Sequence, residues 1–386
     1  MEYTTDFIAK YANVPFYDMP FCDGDNFAIC RTSYLQIEKV ISSDFDAEPV
    51  PYREACERLF AYNGYKHVAV GLVLPKAYSV QLMLMSRTKR YSQMKVAACT
   101  EVFGEYPALQ FGAATYLLPD GKIVVVYRGT DDTLVGWKED LDIYTKKGIP
   151  SHPLGVEYLE KVAAKFDGDI IVCGHSKGGN VAQYSALNCS EETRKRIIKL
   201  YNNDGPGFFN WDFLKSEAYA ELLPKYRHFV PQSSFVGMLL AHDDDYTVVK
   251  SSKLLGPLQH DLGTWGMNGT TPVTCDDLTK LGKVTDLVFY KLFFGVDGKQ
   301  AECFDKVTEM VMYSTGQKGL LGFSRHIPSS IKNAAAEYKK IDSETKEVFK
   351  NTFSAFGSIV KDAVSDVSKG KFETVKERAA HHIPKF

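Results

Sequence analysis

Paired cysteines at metal or redox spacing are missing from this chain. Its eight cysteines stand at positions 22, 30, 56, 99, 173, 189, 275 and 303. No two are separated by the two residues that zinc sites and thioredoxin-like motifs use. Eight thiols in 386 residues are too sparse for a disulfide framework, so reduced, mostly buried cysteines are expected. Long apolar runs are lacking too. No stretch reaches the roughly 18 residues of a membrane-spanning helix, so no transmembrane segment is expected. The opening MEYTTDFIAKYANVPFYDMP has no basic start followed by an apolar core, which argues against a secretory signal. A cytoplasmic setting is the resulting expectation. A net excess of either charge is nearly absent: 46 Lys and Arg against 48 Asp and Glu leave −2. That balance gives no global electrostatic reason to bind nucleic acid. There is no internal repeat and no low-complexity tract.

What is present is a core-forming composition. Hydrophobic residues make up 45% and aromatics 13%, from 24 Phe, 22 Tyr and 3 Trp. The aromatic share fits either a large core or an apolar groove for a greasy ligand.

Pro15, Pro20, Gly24 and Asp25 punctuate an irregular start. Short helices are expected over residues 28–42 and 54–62. The apolar run HVAVGLVL (67–74), the partly alternating 77–85 and 108–118 predict strands. Gly121 predicts a tight turn into KIVVVY (122–127), whose five consecutive apolar residues predict a strand buried on both faces. From there the pattern alternates. Helices are expected over 155–166, 178–187 and 191–197, and strands over 169–173, 198–202, 226–230 and 246–250. That alternation implies an α/β fold with a mostly parallel sheet covered on both faces. In the tail, Phe349, Phe353, Phe356, Val360, Val364 and Val367 fall on one helical face. This face predicts either a helix docked on the protein's own body or a surface helix that touches membrane or a protein partner.

The chemistry concentrates in DIIVCGHSKGGN (169–180), which holds the pentapeptide Gly174-His175-Ser176-Lys177-Gly178. A buried strand ends just before it and a small-residue helix begins just after. That strand–turn–helix setting is what a nucleophile elbow needs. Gly174 and Gly178 remove side chains that would collide at the base of the turn. Ser176 then stands at the carboxyl end of the sheet, where open α/β sheets place ligands. These features predict an α/β-hydrolase fold with N-terminal additions and a C-terminal helical tail.

A serine hydroxyl needs a base, and the base needs an orienting group. The chain order of this fold is Ser, acid, His. His228 falls within a predicted strand and His242 precedes the last one, and His326 lies far along the chain. His260, in the loop GPLQHDLGTW after the last predicted strand, is the expected base. For the acid, Asp204 in the turn NNDGPGF follows the strand next to the nucleophile. Asp244 or Asp245 is the alternative, although a run of three aspartates is more often a solvated turn. The oxyanion hole needs two main-chain N–H groups. Lys177 supplies one, and Thr130, after the strand KIVVVYRG, supplies the other. The Thr130 hydroxyl is a further expected donor.

With those residues in place, the chain resembles fungal-type (class 3) lipases. YRGTDDTLVGWKEDL (127–141) is similar to their FRGT/S…W…D stretch, and GHSKGGNVAQYSAL to their GHSLGG elbow and helix. DGPGF, VPQSSFVGML, YTVVKSS and QHDLGTW widen the likeness to a lipase-like family of uncertain function found largely in Firmicutes. The resemblance implies Ser176 as nucleophile, with Thr130 and Lys177 as oxyanion donors. Two departures stand out. Class 3 lipases place their acid one strand later than Asp204, where this chain has Ser233 and Ser234, whereas NNDGPGF resembles the LDPAGP-like turn of pancreatic-type lipases. Lys177 replaces the usual leucine, and its ammonium is expected to add positive charge at the mouth and favour anionic headgroups.

The expected organisation is an N-terminal extension (1–60) packed on an α/β-hydrolase core (61–310) and followed by a C-terminal helical region (311–386). The expected activity is that of a serine hydrolase of carboxylic esters, lipase- or esterase-like, on a small-molecule or lipid ester. The alternative is a catalytically degenerate α/β-hydrolase acting as a binding or scaffolding module. No cofactor and no metal are expected, since the scattered Gly316, Gly319 and Gly322 form no phosphate cradle. Phe208, Phe209, Trp211, Phe213, Phe235 and Trp265 are candidates either to line an acyl pocket or to complete the core.

Overall fold

The computed structural model describes residues 1–71, 75–131, 133–145, 148–242, 246–254, 256–294, 339 and 343–371. At its centre is a sheet of eight strands in sequence order. They are β1 (Val50–Pro51), β2 (Lys95–Gly104), β3 (Leu109–Leu117), β4 (Ile123–Tyr127), β5 (Ile170–His175), β6 (Ile197–Asn203), β7 (Tyr226–Pro231) and β8 (Tyr246–Val249). Pairing is antiparallel from β1 to β4 and parallel from β4 to β8. Each parallel step from β4 to β7 carries a crossover helix, so those strands all present their carboxyl ends at one edge.

Both faces are buried, which is why β4 and β5 read as unbroken apolar runs. Alternate side chains serve opposite faces. Val124, Val126, Ile171, Cys173, Tyr201 and Phe229 pack with Phe7, Ile8, Phe27, Leu59, Leu82 and Met85 from the N-terminal region. Ile123, Val125, Ile170, Val172 and Leu200 pack with Leu159, Val162, Val181 and Ala182, from the helices Ser151–Lys165 and Lys177–Asn188. A fully buried ion pair, Arg90 to Asp25 at 2.5 Å, ties the N-terminal layer together, and Tyr91 Oη donates to the same carboxylate at 2.6 Å. All seven cysteines among the described residues are free, five of them buried.

The N-terminal third differs most from expectation. Residues 77–85 lie in a helix, Pro75–Arg87, not a strand. Pro75 opens it at the position where proline fits best, and Tyr78, Leu82 and Met85, spaced four and three apart, face the core. The run at 67–74 forms no strand over its described part, residues 67–71. The helix expected over 28–42 begins earlier and ends sooner, as Asp23–Thr32, and Gln36 then turns the chain at φ +56°. Strand β2 and the helices Leu134–Thr145 and Lys280–Phe294 are additions to the expected pattern.

The C-terminal helix runs Ser343–Ser368. Its Ile359, Val360, Ala363 and Val367 pack on Val284, Leu287, Val288 and Tyr290 of Lys280–Phe294, with Asp366 paired to Lys291 at 2.8 Å. This half of the helix docks on the protein's own body. Val364 turns outward, half exposed. No helix among the described residues is long and apolar enough to cross a membrane.

Candidate active site

Strand β5 ends at His175, and Ser176 follows in a left-handed conformation, φ +59° and ψ −135°. A non-glycine residue held there costs on the order of 1–3 kcal/mol. The neighbours over-determine the turn: Ser176 N–H donates to the Asn203 carbonyl at 3.0 Å, and Gly179 N–H to the Ser176 carbonyl at 2.8 Å. The flanking glycines are required sterically. A Cβ on Gly174 would lie 2.0 Å from the Gly178 carbonyl oxygen, and one on Gly178 would lie 2.2 Å from that of Tyr127. The helix Lys177–Asn188 starts at once, so its positive dipole end faces the serine.

Asp204 follows β6, also at positive φ, +51°, and is fully buried. Its Oδ2 lies 2.7 Å from Nδ1 of His260. Its Oδ1 accepts from Ser234 Oγ at 2.5 Å and from Gly237 N–H at 3.1 Å. Ser234 thus supports the carboxylate. Asp244 and Asp245 lie outside the described residues. His228 is buried within β7, and His242 sits 3.7 Å from Asp286. His326 also lies outside the described residues.

The loop carrying His260 is anchored on both sides. Ser233 N–H donates to Gln259 Oε1 at 2.9 Å, and the Trp265 indole donates to the Gln259 carbonyl at 2.7 Å. Asp261 turns away from His260, accepting from Tyr78 Oη at 3.0 Å beside Arg31. The His260 side chain is 23% exposed, which leaves its ring open to the edge of the sheet. Among the described residues no hydrogen bond joins that ring to Ser176 Oγ. Active sites without substrate often hold this contact open.

Lys177 follows Ser176 directly and Thr130 follows Gly129, whose Cβ position would lie 3.0 Å from Ser176 Cβ, but both side chains are engaged elsewhere. Thr130 Oγ1 donates to Asp140, at 2.8 and 2.6 Å from the two carboxylate oxygens. Lys177 is buried. Its ammonium donates to the Gln110 carbonyl (2.7 Å), Gln110 Oε1 (3.1 Å) and Glu139 Oε2 (2.7 Å). The expected positive mouth is therefore corrected: the charge points inward and is neutralised by Glu139. Gln110 Oε1 also accepts from Asp131 N–H at 3.0 Å, so this buried cluster props the loop after β4 from below. Burial pushes the Asp140 carboxyl up to about 6, against the pull of Lys177 and of the Thr130 hydrogen bond. Asp140 and Glu139 were not singled out in the sequence. The signal was present in KEDL, acidic residues on the first helix after the Thr130 turn.

A cavity of about 470 Å³ lies beside the outer end of the Lys177–Asn188 helix. Phe208, Phe209 and Phe213 line it with His152 and Tyr184, and the last two stack at 3.9 Å. Burial lowers His152 to about 4, although its hydrogen bond to Asn180 opposes the shift. Neither Ser176 nor His260 lines this cavity. Trp211 packs instead on Ala241, Tyr290 and Phe294, and Trp265 is core beside Phe27. Among the described residues no group of three or more His, Cys, Asp or Glu side chains is placed to hold a metal.

The parallel half-sheet, the strained serine at its carboxyl edge and the helix behind it define an α/β-hydrolase fold. The chain belongs to the Mbeg1-like family, whose model matches residues 85–307. No curated protein matches it. Among solved structures it is similar to M37 lipase, at 15% identity over 55% of this chain and 68% of that one, with a TM-score of 0.35. A mutant form of MDLA from Penicillium cyclopium shows 13% identity over 65% and 86%, with a TM-score of 0.35. Rhizomucor miehei lipase in its propeptide complex shows 18% identity over 42% and 58%, with a TM-score of 0.28.

Proposed function

We propose that this protein is a serine hydrolase of carboxylic esters. The observation that carries the reading is the Asp204–His260 pair, 2.7 Å apart, with the carboxylate buried and the histidine loop anchored beside the elbow of Ser176. In this reading Ser176 Oγ attacks the acyl carbonyl carbon while His260 Nε2 takes its proton. Asp204 holds the Nδ1–H and stabilises the imidazolium. The N–H groups of Thr130 and Lys177 bind the oxyanion. Collapse expels the alcohol, protonated by His260, and leaves an acyl group on Ser176. Water then attacks with His260 as base, and the carboxylic acid departs. Residues 61–310 carry this chemistry, with 1–60 and 311–386 as additions.

Lipid-like acyl esters are the favoured substrates. Leu254 (87% exposed), Leu258 (57%) and Phe235 (42%) place apolar surface on the loops around His260. With Lys177 turned inward, nothing in its position favours an anionic headgroup. The alternative of a degenerate binding module drew on Ser233 and Ser234 at the class 3 acid position and on the helical tail. Ser234's bond to Asp204 gives that serine a supporting role and weakens the alternative. The reading is tested with p-nitrophenyl esters of increasing chain length. Turnover by the wild-type protein and none by Ser176→Ala is expected, and a folded wild-type protein that hydrolyses none of them overturns it.

A further inference from the structure

His175, the residue before Ser176, is buried at the end of β5 and has no part in the chemistry above. Both its ring nitrogens have partners. Nε2 lies 2.8 Å from the main-chain carbonyl oxygen of His260, and Nδ1 lies 2.8 Å from the Tyr34 hydroxyl. A carbonyl oxygen can only accept, so Nε2 carries the hydrogen. Burial first, then the neighbouring His260 and Arg31, hold His175 well below the ordinary histidine range. The ring is therefore neutral and Nδ1 is bare, so Tyr34 must donate to it. Burial pushes the Tyr34 phenol well above its ordinary value, which keeps that hydrogen in place. The bonds run in one direction, from Tyr34 to His175 to the backbone of His260.

The surrounding geometry brings these groups to one point. A Cβ on Gly129 would lie 2.2 Å from Tyr34 Oη, 2.6 Å from the His175 carbonyl oxygen and 3.0 Å from Ser176 Cβ. The His175 and His260 rings lie 4.4 Å apart, where two imidazolium charges would repel. A neutral His175 leaves His260 free to take the proton. Asp204 fixes one atom of the His260 ring and leaves the ring free to swing about that bond. The bond from His175 to the His260 carbonyl restrains the main chain and removes that freedom.

Resting on the hydrolase reading, we propose that His175 and Tyr34 are positioning residues for proton transfer. His175 holds the His260 main chain so that one imidazole addresses both Ser176 and Asp204, and Tyr34 locks the His175 tautomer that does so. The test compares fluorophosphonate labelling and ester turnover in the full-length wild type, Tyr34→Phe, His175→Ala, His175→Gln and the Tyr34→Phe/His175→Gln double variant. His175→Ala is expected to slow labelling at least ~10-fold, with kcat falling and KM held. His175→Gln, whose amide can still donate to the His260 carbonyl, keeps most of the rate. The double variant behaves as His175→Gln alone, because Tyr34 acts only through His175. Long-range ¹H–¹⁵N spectra of the wild type show His175 neutral with Nε2–H throughout the titration of His260, and Tyr34→Phe disturbs that signal. A wild-type protein that labels normally while His175→Ala labels equally fast, or whose His175 carries its hydrogen on Nδ1, overturns this inference alone. A folded wild-type protein that never labels overturns the hydrolase reading and this inference with it.

Discussion

Replacing Lys177 with methionine keeps the length of the side chain and removes the charge. Glu139 then stays buried without its ammonium partner. Breaking one side of a buried ion pair typically costs 3–5 kcal/mol. The structure places this case at the lower end, because Glu139 keeps three donors: Gln110 N–H at 2.9 Å, Ser151 N–H at 3.0 Å and Ser151 Oγ at 2.6 Å. Gln110 Oε1 likewise keeps Asp131 N–H. The expected loss is therefore about 3 kcal/mol, read as a lower urea midpoint at unchanged slope. Adding Glu139→Gln removes the stranded charge and recovers at least about 1 kcal/mol, although the same change is destabilising in the wild-type background. A single-variant loss below about 1 kcal/mol, or strict additivity in the double variant, refutes the claim that this lysine is a neutralised interior group.

Three further outcomes are expected. Asp204→Asn keeps acceptors for Ser234 and Gly237 but turns an amide toward His260 Nδ1, which forces the wrong tautomer. Labelling of Ser176 should fall ~10³–10⁴-fold with the fold intact by circular dichroism, and a loss under ~10-fold counts against Asp204 as the acid. Asp140 has a folded-state pKa of about 6 against an ordinary 3.8. Its stabilising contribution is therefore complete below the unfolded value and is lost as pH rises through about 6, a change of roughly 3 kcal/mol. Asp140→Asn should abolish that change, seen as a stability difference from wild type that grows between acid and neutral urea melts, whereas a pH-independent difference contradicts the assignment. Ala363, fully buried against Leu287 and Val288, cannot take a charge. Ala363→Glu should undock the C-terminal helix and expose it to limited proteolysis, while equal protection in both proteins speaks against this packing.

The parallel half of the fold was legible because its central strands β4 and β5 are buried on both faces and the helices Ser151–Lys165 and Lys177–Asn188 carry their own apolar or small-residue faces, whereas Leu134–Thr145 and Glu217–Leu222 went unread. Ile123–Tyr127, Ile170–His175 and Tyr226–Pro231 fall within a residue or two of expectation. The N-terminal third was less legible. Tyr78, Leu82 and Met85 mix with buried Ser79 and Gln81, so the helical period was blurred into alternation. Strand β2 holds Cys99, Thr100 and Glu101 with small alanines and has no apolar run to show. Chain order and strand ends pointed to Ser176, Asp204 and His260, of which the structure pairs the last two at 2.7 Å. The direction of the Lys177 side chain did not, because its partners Gln110 and Glu139 come from a strand and a helix far away in sequence. Tyr34 left no signal either, since only the tertiary fold brings it to His175.

The most direct measurement of the central claim is peptide mapping of the protein after reaction with a fluorophosphonate probe. Labelling confined to Ser176, absent in Ser176→Ala and strongly slowed in His260→Ala, is the expected result. Labelling that persists in Ser176→Ala, or a folded wild-type protein that takes up no probe, would contradict a serine hydrolase built on Ser176, His260 and Asp204.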